Sequence, residues 1–278
     1  MKLNKLILII CINALFSQGN YQLLTVPYNF NDMFKTNHFI QGDNISFFHL
    51  MYPNDINLSS VSIPFSLLTN NPLSKYHINF SYLNYGKLID SQNNYSFYPD
   101  EAFISINKFK KYNNINILFS AGYMISSIDI YSSSTITTNI FISIQDIKKE
   151  ILFGIKNAGY VIDGYTGYDT DLPTSFQVNF LRKFNPIAIQ LNYEKRLDFN
   201  HSTFTFLSKI HFNEKLDFYL STNTNRADLL YGDYIDKIAV ATSFGLSYNN
   251  QNNVISLGMQ NLGAAGYSTS IYFEKINL

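Results

Sequence analysis

From about residue 45 onward, the chain repeats segments of roughly ten residues in which apolar and polar side chains alternate, separated by connections of alternating length. In 115–124, Ile115, Ile117, Phe119, Ala121 and Tyr123 fall on one face while Asn116, Ser120 and Gly122 fall on the other, with Leu118 the exception. In 186–195, Ile187, Ile189, Leu191 and Tyr193 oppose Ala188, Gln190, Asn192 and Glu194. The period is two, which puts successive side chains on opposite faces of a β-strand. The same pattern holds for Ile78, Phe80 and Tyr82; for Ile136, Ile140, Ile142 and Ile144; for Phe204, Phe206, Ile210 and Phe212; and for Ile238, Val240, Phe244, Leu246 and Tyr248.

None of these apolar rows carries a charge, whereas Lys209 and His211 lie on an opposite row. A Lys or Arg at the midplane of a membrane barrel costs about 2–4 kcal/mol, so a charge-free face on one side only is what lipid contact demands. Ten residues at about 3.3 Å each, tilted near 45°, rise roughly 23 Å, which matches an apolar band about 25 Å tall. The predicted fold is therefore all-β, a transmembrane antiparallel β-barrel. Its strands lie near 45–51, 60–67, 76–85, 101–108, 115–124, 134–145, 150–157, 174–181, 187–195, 203–211, 216–222, 238–247, 254–261 and 267–276, about 14 in all. Pro64 and the Met51–Tyr52–Pro53 run interrupt the first two, and twelve strands also fit, because proline cannot donate to a ladder. With both termini periplasmic, 68–75, 109–114, 146–149, 182–186, 212–215 and 248–253 form the short turns. The longest outer connections are then 86–100, 125–133, 158–173 and 223–237. A soluble β-sandwich would also bury one face of each strand, but it would not explain the alternation in loop length.

The start of the chain is consistent with export. Lys2 and Lys5 precede the apolar run Leu6–Phe16, followed by Ser17, Gln18 and Gly19, so residues 1–19 read as a secretory signal peptide. Cys11 lies inside that leader, and its removal leaves no thiolate for a disulfide, metal site or nucleophile. Residues 20–44 form an N-terminal segment whose Phe30, Met33, Phe34 and Phe39 would suit a lumen plug or a periplasmic extension, and 45–278 is the barrel.

Composition refines this picture. Twenty Lys and Arg balance twenty Asp and Glu, which leaves no basic field for nucleic acid. Charged residues are 14% of the chain, and Tyr85, Tyr123, Tyr193, Phe204, Phe212 and Tyr248 fall at predicted strand ends, where aromatic side chains anchor at membrane interfaces. The five histidines, His38, His49, His77, His201 and His211, stand in no serine-hydrolase motif and in no metal-ligand spacing. The expectation is a protein that is not an enzyme, with no catalytic residue, metal or cofactor. Asp163, Asp169 and Asp171 offer oxygen ligands to a hard cation, but their spacing is not that of an EF-hand and suits ordinary turn chemistry.

The stretch YVIDGYTGYDTDLPTSFQVNFLRK at 160–183, HINFSYLNYGKL at 77–88 and GAAGYSTSIYFEKINL at 263–278 together resemble the PorV/PorQ-like outer-membrane proteins. The chain departs from that family at Tyr52–Pro53–Asn54–Asp55, where members often carry an Asn-Pro-Ala turn. The resemblance implies a FadL-like barrel in the cell outer membrane, closer to PorQ than to PorV. It also implies a non-enzymatic role in secretion or surface attachment of exported proteins alongside the type IX secretion system. Partners would be outer-membrane lipid and other secretion or cell-surface proteins. An alternative is a FadL-like transporter of small hydrophobic molecules. Candidate partner-binding residues are Asp163, Tyr165, Tyr168 and Asp171 in one outer connection and Leu229, Leu230 and Tyr231 in another.

Overall fold

A computed structural model of the chain describes residues 44–66, 76–90, 95–165, 171–197, 202–224, 241–263 and 266–275. Residues 1–43, which hold the expected leader and all of the 20–44 segment but Asn44, together with Tyr168, Asp169, His201, Leu229, Leu230, Tyr231, Ile238 and Val240, lie outside the described residues.

Fourteen antiparallel strands form a closed barrel. They are β1 (Ile45–Met51), β2 (Asn57–Pro64), β3 (Tyr76–Asn84), β6 (Asp100–Tyr112), β7 (Ile115–Ile128), β8 (Tyr131–Gln145) and β9 (Lys149–Asp163), followed by β10 (Ser175–Phe184), β11 (Ile187–Arg196), β12 (Ser202–His211), β13 (Leu216–Asn223), β14 (Thr242–Asn250), β15 (Asn253–Asn261) and β16 (Tyr267–Lys275). The short strands β4 (Leu88–Asp90) and β5 (Tyr95–Phe97) pair as a hairpin in the connection between β3 and β6. Closure comes from β1 pairing with β16, Ile45 opposite Lys275 through Met51 opposite Thr269. The fourteen strands of the barrel leave no edge open, which is the condition for a sheet to cross hydrocarbon with its backbone groups satisfied. Pro64, the residue that made β2 doubtful in sequence, is the last of its strand, where a missing donor costs no ladder bond.

The burial pattern is reversed relative to a water-soluble protein. Phe80, Phe119, Leu191, Phe206, Leu246 and Leu257 are 40–56% exposed, whereas their polar neighbours on the other row, such as Ser81, Ser120, Gln190 and Ser247, are 0–3% exposed. So large a band of exposed apolar side chains needs a hydrocarbon solvent. This inversion separates a membrane barrel from a soluble sandwich, whose apolar rows would be the buried ones.

The predicted short turns occur at one end, at 113–114, 146–148, 185–186, 212–215 and 251–252, and Asn113 accepts the positive φ of its tight turn at 49°. The 65–75 connection at that end is longer. One expected long connection is not long. β7 and β8 run on to Ile128 and Tyr131, so 125–133 shrinks to a turn at 129–130, with Asp129 at φ 56°. The strands β6 to β9 span 13 to 15 residues against 7 to 10 for the rest of the barrel, and raise one wall above the others at the long-connection end. For the same reason Tyr123 sits within β7 rather than at a strand end. Where β8 meets β9 a bulge forms at Asn157, whose φ is 58°, and the register slips between Thr138 and Ile140.

Candidate functional site

Inside the barrel the wall has two characters. Phe48 and Leu50 (β1), Leu58 (β2), Leu83 (β3), Phe103 (β6), Met124 (β7), Val254 (β15) and Tyr272 (β16) pack as one apolar cluster. The opposite wall is polar, with Gln177 and Asn179 on β10, Gln190 on β11 and Ser221 on β13, all under 9% exposed. Ser175 Oγ and Gln177 Nε2 donate to Glu194 at 2.7 and 3.0 Å. At the short-turn end Asp217 gathers three donors: Lys209 Nζ at 2.7 Å, His211 Nδ1 at 2.6 Å and Asn249 Nδ2 at 2.8 Å. Lys209 and His211 thus face the lumen, as their row predicts.

The long-connection end holds the most elaborate arrangement. Glu101, fully buried, lies on the inner row of β6 opposite Leu83 and Ser126. Its carboxylate accepts from Tyr85 Oη at 2.9 Å and from Ser126 Oγ at 3.4 Å, and the Tyr165 hydroxyl donates in turn to Ser126. Tyr85 and Tyr165 belong to two different connections, 85–87 and 164–174. Leu172 from the second connection enters the apolar cluster, and Tyr52, from the β1–β2 connection, packs against it. Asn157 anchors the base of the second connection: its Nδ2 donates to the Pro173 carbonyl at 3.3 Å, and the Asn157 carbonyl accepts from Thr174 Oγ1 at 3.0 Å. Two outer connections are therefore tied to Glu101, one by Tyr85 and one by Tyr165 through Ser126, and a third packs Tyr52 on the apolar wall. Burial, and then the Glu101 carboxylate, raises the Tyr85 phenol above its ordinary range, and burial pushes Tyr52 up to about 12. Above this mouth the β4–β5 hairpin is held by Tyr95 Oη donating to Asp129 at 2.5 Å.

Of the residues singled out in sequence, Asp163 and Asp171 are exposed, and the Asp163 carbonyl accepts from Ser133. Tyr165 is turned inward to Ser126. Tyr85, expected at a membrane interface, is 7% exposed and inside the mouth, because the chain turns in at Tyr85–Gly86 as β3 ends. Glu101 and Ser126 were missed. The available signal was a carboxylate on the inward row of β6 next to Phe103.

The chemistry on display is hydrogen bonding and packing. His49 Nδ1 meets Ser59 Oγ at 3.0 Å on the outer, lipid-side row of β1 and β2. A nucleophile needs its base oriented by a third group, and among the described residues no side chain engages the other ring nitrogen of His49. Among the described residues no group of three or more His, Cys, Asp or Glu is placed to hold a metal ion.

The closed ladder, the charge-free outer band and the turn asymmetry define a transmembrane β-barrel of the outer-membrane type. No family model and no curated protein matches the chain. Among solved structures it is similar to the Acinetobacter baumannii outer membrane protein Omp33, with TM-score 0.47, 8% identity, and coverage of 84% of this chain and 97% of that one. It is also similar to the KdgM porin solved with disordered oligogalacturonate, with TM-score 0.42, 7% identity, and coverage of 84% and 99%. A third is the TodX deltaS2S3 mutant, a monoaromatic hydrocarbon channel, with TM-score 0.49, 7% identity, and coverage of 84% and 89%. The fold assignment rests on the ladder of this chain itself.

Proposed function

We propose that the protein is a non-catalytic barrel of the cell outer membrane that works through its outer connections on protein partners. In line with its resemblance to PorV/PorQ-like proteins, it would assist secretion or surface attachment of exported proteins with the type IX secretion system. The observation that supports this reading is the inward-folded mouth. Tyr85, Tyr165 and Leu172 close over the wall at Glu101, and inward residues around the whole circumference, Ser81, Glu101, Thr135, Ser143, Gln190, Ser247 and Ser268, are at most 1% exposed. A general porin needs a wetted wall. Asp163 and Asp171 remain exposed at the same end for a partner to read. The test is to purify the protein from outer membranes and identify what accompanies it, and to delete the gene and follow surface attachment of secreted cargo. Copurifying secretion proteins with lost attachment are expected; unchanged attachment with no copurifying partner would overturn the role.

A second reading, passage of small hydrophobic molecules, is favoured by the apolar wall formed by Phe48, Leu58, Leu83, Phe103 and Met124. A purified barrel that conducts in planar bilayers, or releases bound lipid on denaturation, would select it over the first.

A further inference from the structure

The outer surface of the barrel carries its charges in an unequal pattern. On the strands, the pleat places Lys108 and Lys110 of β6, Lys149 of β9, Arg182 of β10 and Lys275 of β16 on the lipid-side row within a few residues of the short-turn end. Among the described strand residues no Asp or Glu shares that row at that end. Glu150 and Glu274, next in sequence to Lys149 and Lys275, and Asp217 of β13 all point into the lumen, as their burial shows. At the other rim the lipid-side charges are mixed: Asp100, Asp163 and Lys195.

The cations are also positioned by aromatic side chains. Lys108 Nζ lies 5.0 Å from the centre of the Tyr76 ring, Lys110 Nζ 4.6 Å from Tyr112, and the Arg182 guanidinium 4.9 Å from Phe184. Lys149 is the direct ladder partner of Arg182. The stems of such residues lie along apolar surface while the heads reach for polar phase, and the rings fix the depth at which they do so. Four heads and three rings thus make two basic–aromatic clusters, one on β3–β6 and one on β9–β10, separated by the isoleucine rows of β7 and β8. The acidic side chains exposed at this end, Asp146 and Glu214, stand in the turns, so the lipid-side rows of the strands themselves present only cations here, although the chain as a whole is net neutral. The geometry points to a binding surface for anionic phospholipid headgroups, of the phosphatidylglycerol kind, in the periplasmic leaflet. The choice of leaflet rests on the outer-membrane orientation adopted above, in which short turns are periplasmic.

The test uses the full mature protein reconstituted in vesicles of phosphatidylethanolamine and phosphatidylglycerol, extracted gently, with the retained lipid weighed against the bulk mixture. The native protein should retain phosphatidylglycerol in excess. Each charge removed should reduce that excess by about fivefold at most, the effect of one basic side chain at an anionic surface. The variant K108Q/K110Q/K149Q/R182Q should retain lipid in the bulk ratio, K195Q at the opposite rim should behave as native, and K110R should keep the preference. Retention by the native protein in the bulk ratio, or an excess that survives in the fourfold variant, would overturn the proposal. So would displacement of phosphatidylglycerol by lipid A in a competition arm, which would put this rim in the other leaflet. Heat-modifiable gel migration, run on every variant, reports separately whether the barrel itself has formed, so a failure of the membrane reading is not confused with a failure of this one.

Discussion

Tyr85 donates its phenolic hydrogen to Glu101 at 2.9 Å, and through that bond a connection that follows β3 is fastened to the inner wall of β6. A hydrogen bond to an ionised group contributes about 1.5–3 kcal/mol. The double-mutant cycle of Tyr85→Phe with Glu101→Gln, measured by urea unfolding from vesicles, should therefore return a coupling within about 0.5–3 kcal/mol. Additive single effects would dissolve the fastening.

Alkali should loosen the same mouth. Tyr52 is pushed up to about 12 and Tyr85 is also raised, so the folded state favours the neutral phenols. Their contribution is fully present below the unfolded value near 10 and fades as pH climbs through the folded values. The folded fraction on a gel should fall between about pH 10 and 12, and Tyr52→Phe should flatten that fall. An unchanged profile in the variant would count against the assignment.

Leu246 is 49% exposed at the middle of β14 and faces outward. Leu246→Arg should cost about 2–4 kcal/mol in a bilayer, the range for a cation near the midplane. The readout is again reversible unfolding in vesicles, and a neutral outcome would contradict lipid contact at this row.

Asp217 holds Lys209 and His211 against the lumen wall. Removing one partner of a buried pair costs about 3–5 kcal/mol. Lys209 keeps 21% of its side chain exposed, so Asp217→Ala should fall at or below the lower end. Equal stability of variant and native barrel would show that the pair is solvated.

Gly154 makes room for a ring: a Cβ there would lie 2.1 Å from Phe141 Cδ1, and Phe141 is 1% exposed. Gly154→Ala should destabilise by about 1–3 kcal/mol through overpacking. Adding Phe141→Leu should recover part of the loss, and failure to recover any would place the strain elsewhere.

How far the site could be read from the chain varies by residue. The inward placement of Lys209 and His211 was legible, because pleat parity needs only near neighbours in sequence. Tyr85 was legible as an aromatic residue near a strand end and Tyr165 as a residue of an outer connection, but neither as a lumen group. The direction in which a connection folds depends on what it meets, here Glu101 and Ser126 on other strands. Tyr123 was misplaced because a strand rising above the membrane no longer has to be apolar on its outer row, so the pattern fades before the ladder does: Ser132 and Ser134 face outward on β8 beyond that point.

By itself the sequence determined the strands, their faces and the solvent on each side, since alternation is a property of residues two apart and charge avoidance can be counted along one segment. That the sheet closes follows from the predicted barrel, but the tertiary structure alone decided the register of closure, in which Asn44 reaches Glu274 across 230 positions of chain, as well as the tall wall of β6 to β9, the bulge at Asn157 and the inward mouth. Each of these is set by contacts between strands or connections whose separation in sequence carries no local signature.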